Sequence, residues 1–149
     1  MGFAMVSAAP HKSSLMETNS LLVIEPDPLL QELFYLCITE FMAWDVVTTD
    51  SIAVGLRFCL IHPFDIILLA IPDNEAEQKT CFDFLKTLDQ NSSTESTPLL
   101  LLTQQPVFAL PEPLSRHRTI HTLSKPFDPL TLPQQLLALL HLDRSLNSA

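Results

Sequence analysis

The side chains with the clearest chemical potential lie at three separate places in the sequence: an acidic turn with Glu25 and Asp27, a hydroxyl at Thr103 and an ammonium group at Lys125. Carboxylate oxygens are the ligands that Mg²⁺ prefers, and hydroxyl and ammonium groups bind phosphoryl oxygens. By type, these residues suit phosphate and metal chemistry. Whether they can act together depends on the elements that position them.

Five short β-rich runs alternate with segments of helical period from Ser20 onward. The predicted strands are Leu21–Ile24, Asp45–Thr49, Asp65–Ala70, Leu99–Leu102 and Thr119–Leu123. This alternation is typical of a parallel sheet with crossover helices, in which functional groups gather beyond the carboxyl ends of the strands. The residues at those ends are Glu25, Pro26, Asp27, Ala70, Thr103 and Lys125. The pattern therefore predicts that the candidate residues meet at one edge of the sheet.

Four segments have the 3.6-residue period of a helix with one buried face. We expect the first helix to begin at Pro28, behind a cap from Asp27, and the second to end at His62. The residues predicted to face the core are, helix by helix, Leu30, Leu33, Phe34, Cys37 and Phe41; Ile52, Leu56 and Cys59 or Leu60; Phe82, Leu85 and Leu88; and Leu132, Leu136, Leu139 and Leu140. Between the fourth and fifth strands, residues 104–118 contain three prolines, so we expect no full-length helix there.

Four segments, in order, resemble the receiver domain of two-component response regulators. They are LLVIEPDPLL, PFDIILLAIPD, PLLLLT and LSKPF, and the resemblance covers residues 20–142. It implies a flavodoxin-like (CheY-like) α/β fold, a doubly wound five-stranded parallel sheet of order 2-1-3-4-5, here with a degraded fourth helix. In the family these segments carry an acidic cluster, the phospho-accepting aspartate, a switch hydroxyl and a Lys-Pro dipeptide.

Two positions depart from the receiver pattern where its chemistry needs a carboxylate. The position of the phospho-accepting aspartate is Ala70, which has no nucleophilic oxygen. The family's acidic pair corresponds to Glu25 and Pro26, and Asp27 either helps to hold a metal ion or caps the following helix. Because Mg²⁺ needs several oxygen ligands, we expect a degenerate phosphorylation pocket with no metal and no cofactor.

Thr103 and Lys125 keep the residue types that bind phosphoryl oxygens in the family, and two explanations are open. In the first, Thr103 reports a conformational change driven by another input. In the second, Lys125 pairs with Glu25 across the pocket, and Thr103 occupies a strand end that favours β-branched residues. Thr122 lies three residues before the lysine, where the family often has an aromatic residue, and this departure argues against the usual switch.

A second candidate region is the proline-rich segment of residues 106–114. It combines apolar side chains with a stiff backbone, which loses less conformational entropy on docking than a flexible one does. The candidate interface residues are Val107, Phe108, Leu110 and Leu114, together with Thr122 on the fifth strand. The segment is either a protein-binding surface or a loop that folds back on the core.

The composition restricts the class of protein. The 149 residues include 17 acidic and 8 basic side chains, a net charge of −9, which argues against binding to nucleic-acid phosphates. Cys37, Cys59 and Cys81 lie in apolar segments without paired spacing, and we expect buried thiols in a reducing cytoplasm. No apolar run approaches the roughly 20 residues of a membrane helix.

The expected organisation is one receiver-like domain at residues 20–143, with tails at 1–19 and 144–149; the first tail is either native or a remnant of expression. Since the chain ends soon after the last helix, we expect a stand-alone cytoplasmic module of a two-component or phosphorelay system. It is expected to signal by protein–protein interaction, without phosphorylation and without enzyme activity. Its partner is a signalling protein, with a homodimer left open and no nucleic acid or membrane involved. The alternative is a sensor that binds a small molecule in the neutralised pocket.

Overall fold

The structure, a computed structural model, describes residues 18–104 and 118–147. The elements in chain order are β1 Ser20–Ile24, α1 Pro28–Met42, β2 Asp45–Thr49, α2 Ile52–Ile61, β3 Ile66–Ala70, α3 Glu75–Asp89, β4 Leu99–Thr103, β5 Ile120–Ser124, a 3₁₀ helix at Pro129–Thr131 and α4 Leu132–Asn147. The N-terminal tail up to residue 17, the degraded helix expected before β5, and the candidate interface residues Val107, Phe108, Leu110 and Leu114 lie outside the described residues.

The five strands form one parallel sheet of order β2-β1-β3-β4-β5, which confirms the predicted topology. Leu22 in β1 lies opposite Val47 in β2 and Ile67 in β3, so β1 and β3 occupy the centre of the sheet. Every residue of β1, β3 and β4 is buried, as expected for strands that helices cover on both faces. This explains why their sequences are continuously aliphatic rather than alternating.

Two apolar cores lie on opposite faces of the sheet, because successive side chains of a strand point to opposite sides. Leu21 and Val23 pack into the core that α1 and α4 cover, whereas Leu22 and Ile24 pack into the core that α2 and α3 cover. The first core receives Phe34 and Ile38 from α1 and, as predicted, Leu132, Leu136, Leu139 and Leu140 from α4. The second receives Cys59 from α2 and Cys81, Phe84, Leu85 and Leu88 from α3.

Three predictions about helix faces and boundaries were wrong. Phe41 is 67% exposed, and Ile38, which is fully buried, takes its expected role in α1. The 15 residues of α1 extend about 22 Å. The five-residue strand beneath spans only about 17 Å, so the last turn of the helix passes the edge of the sheet. Leu60 is 47% exposed, which leaves Cys59 as the buried alternative in α2. The last helix continues to Asn147, beyond the domain boundary expected at residue 143.

A buried ion pair joins the end of α3 to the segment that leads into β5. The guanidinium Nη2 of Arg118 donates to Asp89 Oδ1 at 2.5 Å, and its Nη1 donates to the carbonyl oxygen of Thr97 at 2.8 Å. The side chain of Arg118 is only 1% exposed and that of Asp89 is 20% exposed. The contact therefore fastens the loop before β4 and the start of β5 to the same helix.

All three cysteines are free and buried, as predicted. Burial raises the pKa of the Cys59 thiol to about 12, against a smaller lowering effect of Arg118, and raises that of Cys81 to about 11. Among the described residues, no helix is both long enough and apolar enough to cross a membrane.

The raised thiol pKa values predict a loss of stability in alkali. From the ordinary thiol pKa of 9.0 upward, the unfolded chain loses these protons while the folded chain keeps them, so the free energy of unfolding falls until the pH passes about 12. Urea unfolding at a series of pH values from 8 upward measures this slope. The variant Cys59→Ala is the control, and its slope above pH 9 should be shallower than that of the wild type; equal slopes would contradict the assignment.

Candidate functional site

The structure brings four of the predicted pocket residues to one edge of the sheet. Glu25 follows β1, Ala70 ends β3, Thr103 ends β4 and Lys125 follows β5. The register of the parallel strands aligns these ends: Ala70 lies opposite Leu102, and the backbone N–H of Lys125 donates to the carbonyl oxygen of Thr103 at 2.7 Å. The edge predicted from the strand pattern is therefore the edge where these residues meet.

Glu25 is almost completely buried, at 1% exposure, and both of its carboxylate oxygens have partners within the chain. Oε1 lies 3.4 Å from the ammonium Nζ of Lys125, and Oε2 accepts from the backbone N–H of Asp27 at 3.1 Å. The backbone of Glu25 is held as well, since its N–H donates to Thr49 and its carbonyl oxygen accepts from the side-chain amide of Gln31 at 2.6 Å. The ion pair offered as one of the two alternatives for Lys125 is thus present.

Asp27 acts as a helix cap. Its Oδ1 accepts from the backbone N–H of Leu29 at 2.9 Å, and Pro28 occupies the first helical position, as predicted. The residue is exposed and its carboxylate is engaged at the start of α1. Pro26, also exposed, contributes no carboxylate to the site. Of the acidic turn, only Glu25 is buried in the pocket.

Ala70 belongs to the apolar core rather than to a polar pocket. It is 7% exposed and packs in the same core as Leu68 and Leu102. Its carbonyl oxygen lies 3.9 Å from the Sγ of Cys81 in α3. A methyl group at this position has no oxygen with which to attack a phosphoryl donor.

The remaining predicted residues are placed separately. Thr103 is 3% exposed, and Thr122 is exposed in the middle of β5, opposite Leu101 in the register. Within residues 18–104 and 118–147, no group of three or more His, Cys, Asp or Glu side chains is arranged to hold a metal ion.

The sequence analysis missed the residues that secure the turn after Lys125. The ring of Phe127 stacks on Phe34 of α1, with 5.9 Å between the ring centroids. Asp128 then caps the 3₁₀ helix, since its Oδ1 accepts from the backbone N–H of Leu130 at 3.0 Å. The signal was available, because Asp128-Pro129-Leu130 repeats the tripeptide that begins α1.

Comparison with known proteins places this geometry. No protein-family model matches the sequence, and no curated protein matches it. Solved structures do match. The chemotaxis protein CheY4 of Vibrio cholerae superposes with a TM-score of 0.67 at 20% identity, over 82% of this chain and 98% of that one. The fold is that of a receiver domain.

Two further receiver-fold neighbours agree. The receiver domain of the sensor histidine kinase PA1611 from Pseudomonas aeruginosa, solved with a magnesium ion in its active-site cleft, gives a TM-score of 0.66 at 16% identity, over 83% of this chain and 98% of that one. A response regulator described as putative from Chloroflexus aurantiacus gives 0.66 at 19% identity, over 84% and 99%. Identities of this size establish the receiver fold, and the chemistry of the pocket follows from its own residues.

Proposed function

We propose that this protein is a receiver-like signalling module of a two-component or phosphorelay system that works without aspartyl phosphorylation and without Mg²⁺. It passes its signal by binding a partner protein. The observation that carries the proposal is the buried ion pair of Glu25 and Lys125, which lies beside Ala70 at the edge where the receiver fold places its phosphorylation chemistry.

The carboxylate inventory supports the loss of Mg²⁺ binding. The neighbouring receiver domain from Pseudomonas aeruginosa was solved with magnesium in its cleft. In this chain the corresponding positions are Glu25, Pro26 and Ala70, and the carboxylate of Glu25 is already engaged by Lys125 and the backbone of Asp27. Mg²⁺ requires near-octahedral oxygen coordination and usually one or two carboxylates, so this pocket offers it little.

The state of Lys125 supports the loss of phosphoryl recognition. Its ammonium group is 20% exposed and its charge is balanced by Glu25. A phosphoryl group entering the pocket would compete with this internal carboxylate and gain no covalent bond at Ala70. A cytoplasmic, non-enzymatic role in protein–protein signalling is the function consistent with these residues. The alternative of a small-molecule sensor stays a prediction.

The test is exposure of the purified protein to acetyl phosphate and Mg²⁺, followed by intact-mass measurement. We expect no stoichiometric adduct of about 80 Da, the mass added by one phosphoryl group. In an NMR titration with Mg²⁺ and then beryllofluoride, the amide resonances of Ala70, Thr103 and Lys125 are expected to stay in place.

The matched positive control is the double variant Pro26→Asp/Ala70→Asp, which places carboxylates at both departed positions. It should show Mg²⁺-dependent shifts at the same edge of the sheet. A saturable shift or a phosphoryl adduct in the wild-type protein would overturn the proposal.

A further inference from the structure

Helix α1 has a second apolar face that the core does not use. Leu29, Leu33 and Leu36 are spaced four and three residues apart, so they lie on one side of the helix. Leu29 is 75% exposed and Leu36 is 47% exposed, while Leu33 is partly buried. The core-facing side of the same helix is formed by Phe34, Cys37 and Ile38. The fold therefore accounts for one apolar side of α1 and leaves the other facing solvent.

A fourth exposed leucine lies on the element beside the start of α1. The 3₁₀ helix packs against α1, and its Leu130 is 67% exposed. Leu29 and Leu130 occupy the same position in two identical caps, each two residues after an aspartate whose side chain accepts its backbone N–H, at 2.9 and 3.0 Å. Both caps follow strands that end at the pocket edge. We call Leu29, Leu33, Leu36 and Leu130 the leucine stripe.

The charges around the leucine stripe are negative. Asp27, Glu32, Glu40 and Asp128 are all exposed, and α1 contains no lysine or arginine. The nearby cation, Lys125, is paired with Glu25, and the whole chain carries a net charge of −9. A second copy of the chain would bring the same negative charge to this surface, and like charges facing each other oppose association. A cationic partner fits it.

We propose that the leucine stripe is the docking surface for a helix of a partner protein, with apolar residues at helical spacing flanked by lysine or arginine. The proposal rests on the proposed function, which sends the signal through protein contact. A stable interface buries about 800 Å² on each partner, and a few anchors carry most of its energy. The exposed leucines are those anchors, and the acidic rim selects the charge of the partner.

The test uses a probe peptide of about 18 residues, with leucines three and four residues apart and lysines elsewhere, titrated into the ¹⁵N-labelled full chain. We expect saturable amide shifts centred on α1 and residues 128–131. The variant Leu29→Ser/Leu36→Ser should weaken binding about tenfold, equivalent to 1.4 kcal/mol. The control Leu60→Ser/Ile61→Ser removes exposed apolar side chains from α2, on the opposite face of the sheet, and should leave the affinity within about twofold.

Four outcomes would overturn the docking proposal: no saturable binding, equal weakening by both pairs of substitutions, equal binding of a peptide with glutamate in place of lysine, or shifts in α1 that depend on protein concentration without peptide. The last would identify a second copy as the occupant. These outcomes are separate from the phosphorylation test. A chain that binds the peptide and also accepts a phosphoryl group would overturn the proposed function alone.

Discussion

Replacement of Lys125 by methionine is expected to lower the free energy of unfolding by about 2 to 3 kcal/mol, because it leaves a buried carboxylate without its cation. Glu25 is 1% exposed and would keep only the backbone N–H of Asp27 as a partner for its side chain. The value is set below that of a fully buried pair because Lys125 is 20% exposed. Urea unfolding at neutral pH measures the change.

The double variant Glu25→Gln/Lys125→Met is the control for this prediction. It removes both charges and keeps similar side-chain volumes, so most of the lost stability should return. If the single and double variants lost the same stability, the ion pair would not be the cause. A confirmed cycle would show that Lys125 is retained to balance Glu25, which is the simpler of the two explanations that the sequence left open.

The second large effect is expected from Asp89→Asn, which should lower the free energy of unfolding by about 3 kcal/mol. The substitution removes the charge that balances Arg118, whose side chain is 1% exposed and keeps only the carbonyl oxygen of Thr97. The matched control is Asp83→Asn on the same helix. Asp83 pairs with Lys79 at 3.2 Å where both side chains are more than half exposed, and its loss should cost less than about 0.5 kcal/mol.

Thermal and urea unfolding of the two asparagine variants decide this comparison. Equal effects of Asp89→Asn and Asp83→Asn would show that burial does not govern the pair formed with Arg118. The double variant Asp89→Asn/Arg118→Met should be more stable than Asp89→Asn alone, because it leaves no unpaired charge in the interior.

Local sequence pattern was enough for the architecture. The aliphatic runs at β1, β3 and β4 are buried on both faces, and short strands alternating with helical periods leave few arrangements other than a right-handed parallel sheet. Asp27 followed by Pro28 marks the start of α1 because a cap and a proline satisfy needs of the first turn alone. The edge that carries Glu25, Ala70, Thr103 and Lys125 followed from the topology.

Spatial relations between distant residues were not available from local pattern. Phe41 fits the buried stripe of α1 by period, yet the helix is longer than the strand beneath it, and the sequence of the helix does not contain that comparison. Ala43 ends the helix in the left-handed conformation, with φ of 55°, where glycine is the usual residue. The pairing of Arg118 with Asp89 joins residues that no short motif connects.

The sequence by itself determined the order of elements, the buried strands and the absence of a carboxylate at Ala70 and Pro26, because each depends on residue type and near-neighbour spacing. Only the tertiary structure decided between the two explanations offered for Lys125 by placing its ammonium group against Glu25, 100 residues away in sequence. It also decided which leucines of α1 face the core and which face solvent. The physical reason is the same in both cases: burial and ion pairing depend on which distant segments share a volume, and hydrophobic period alone does not specify that.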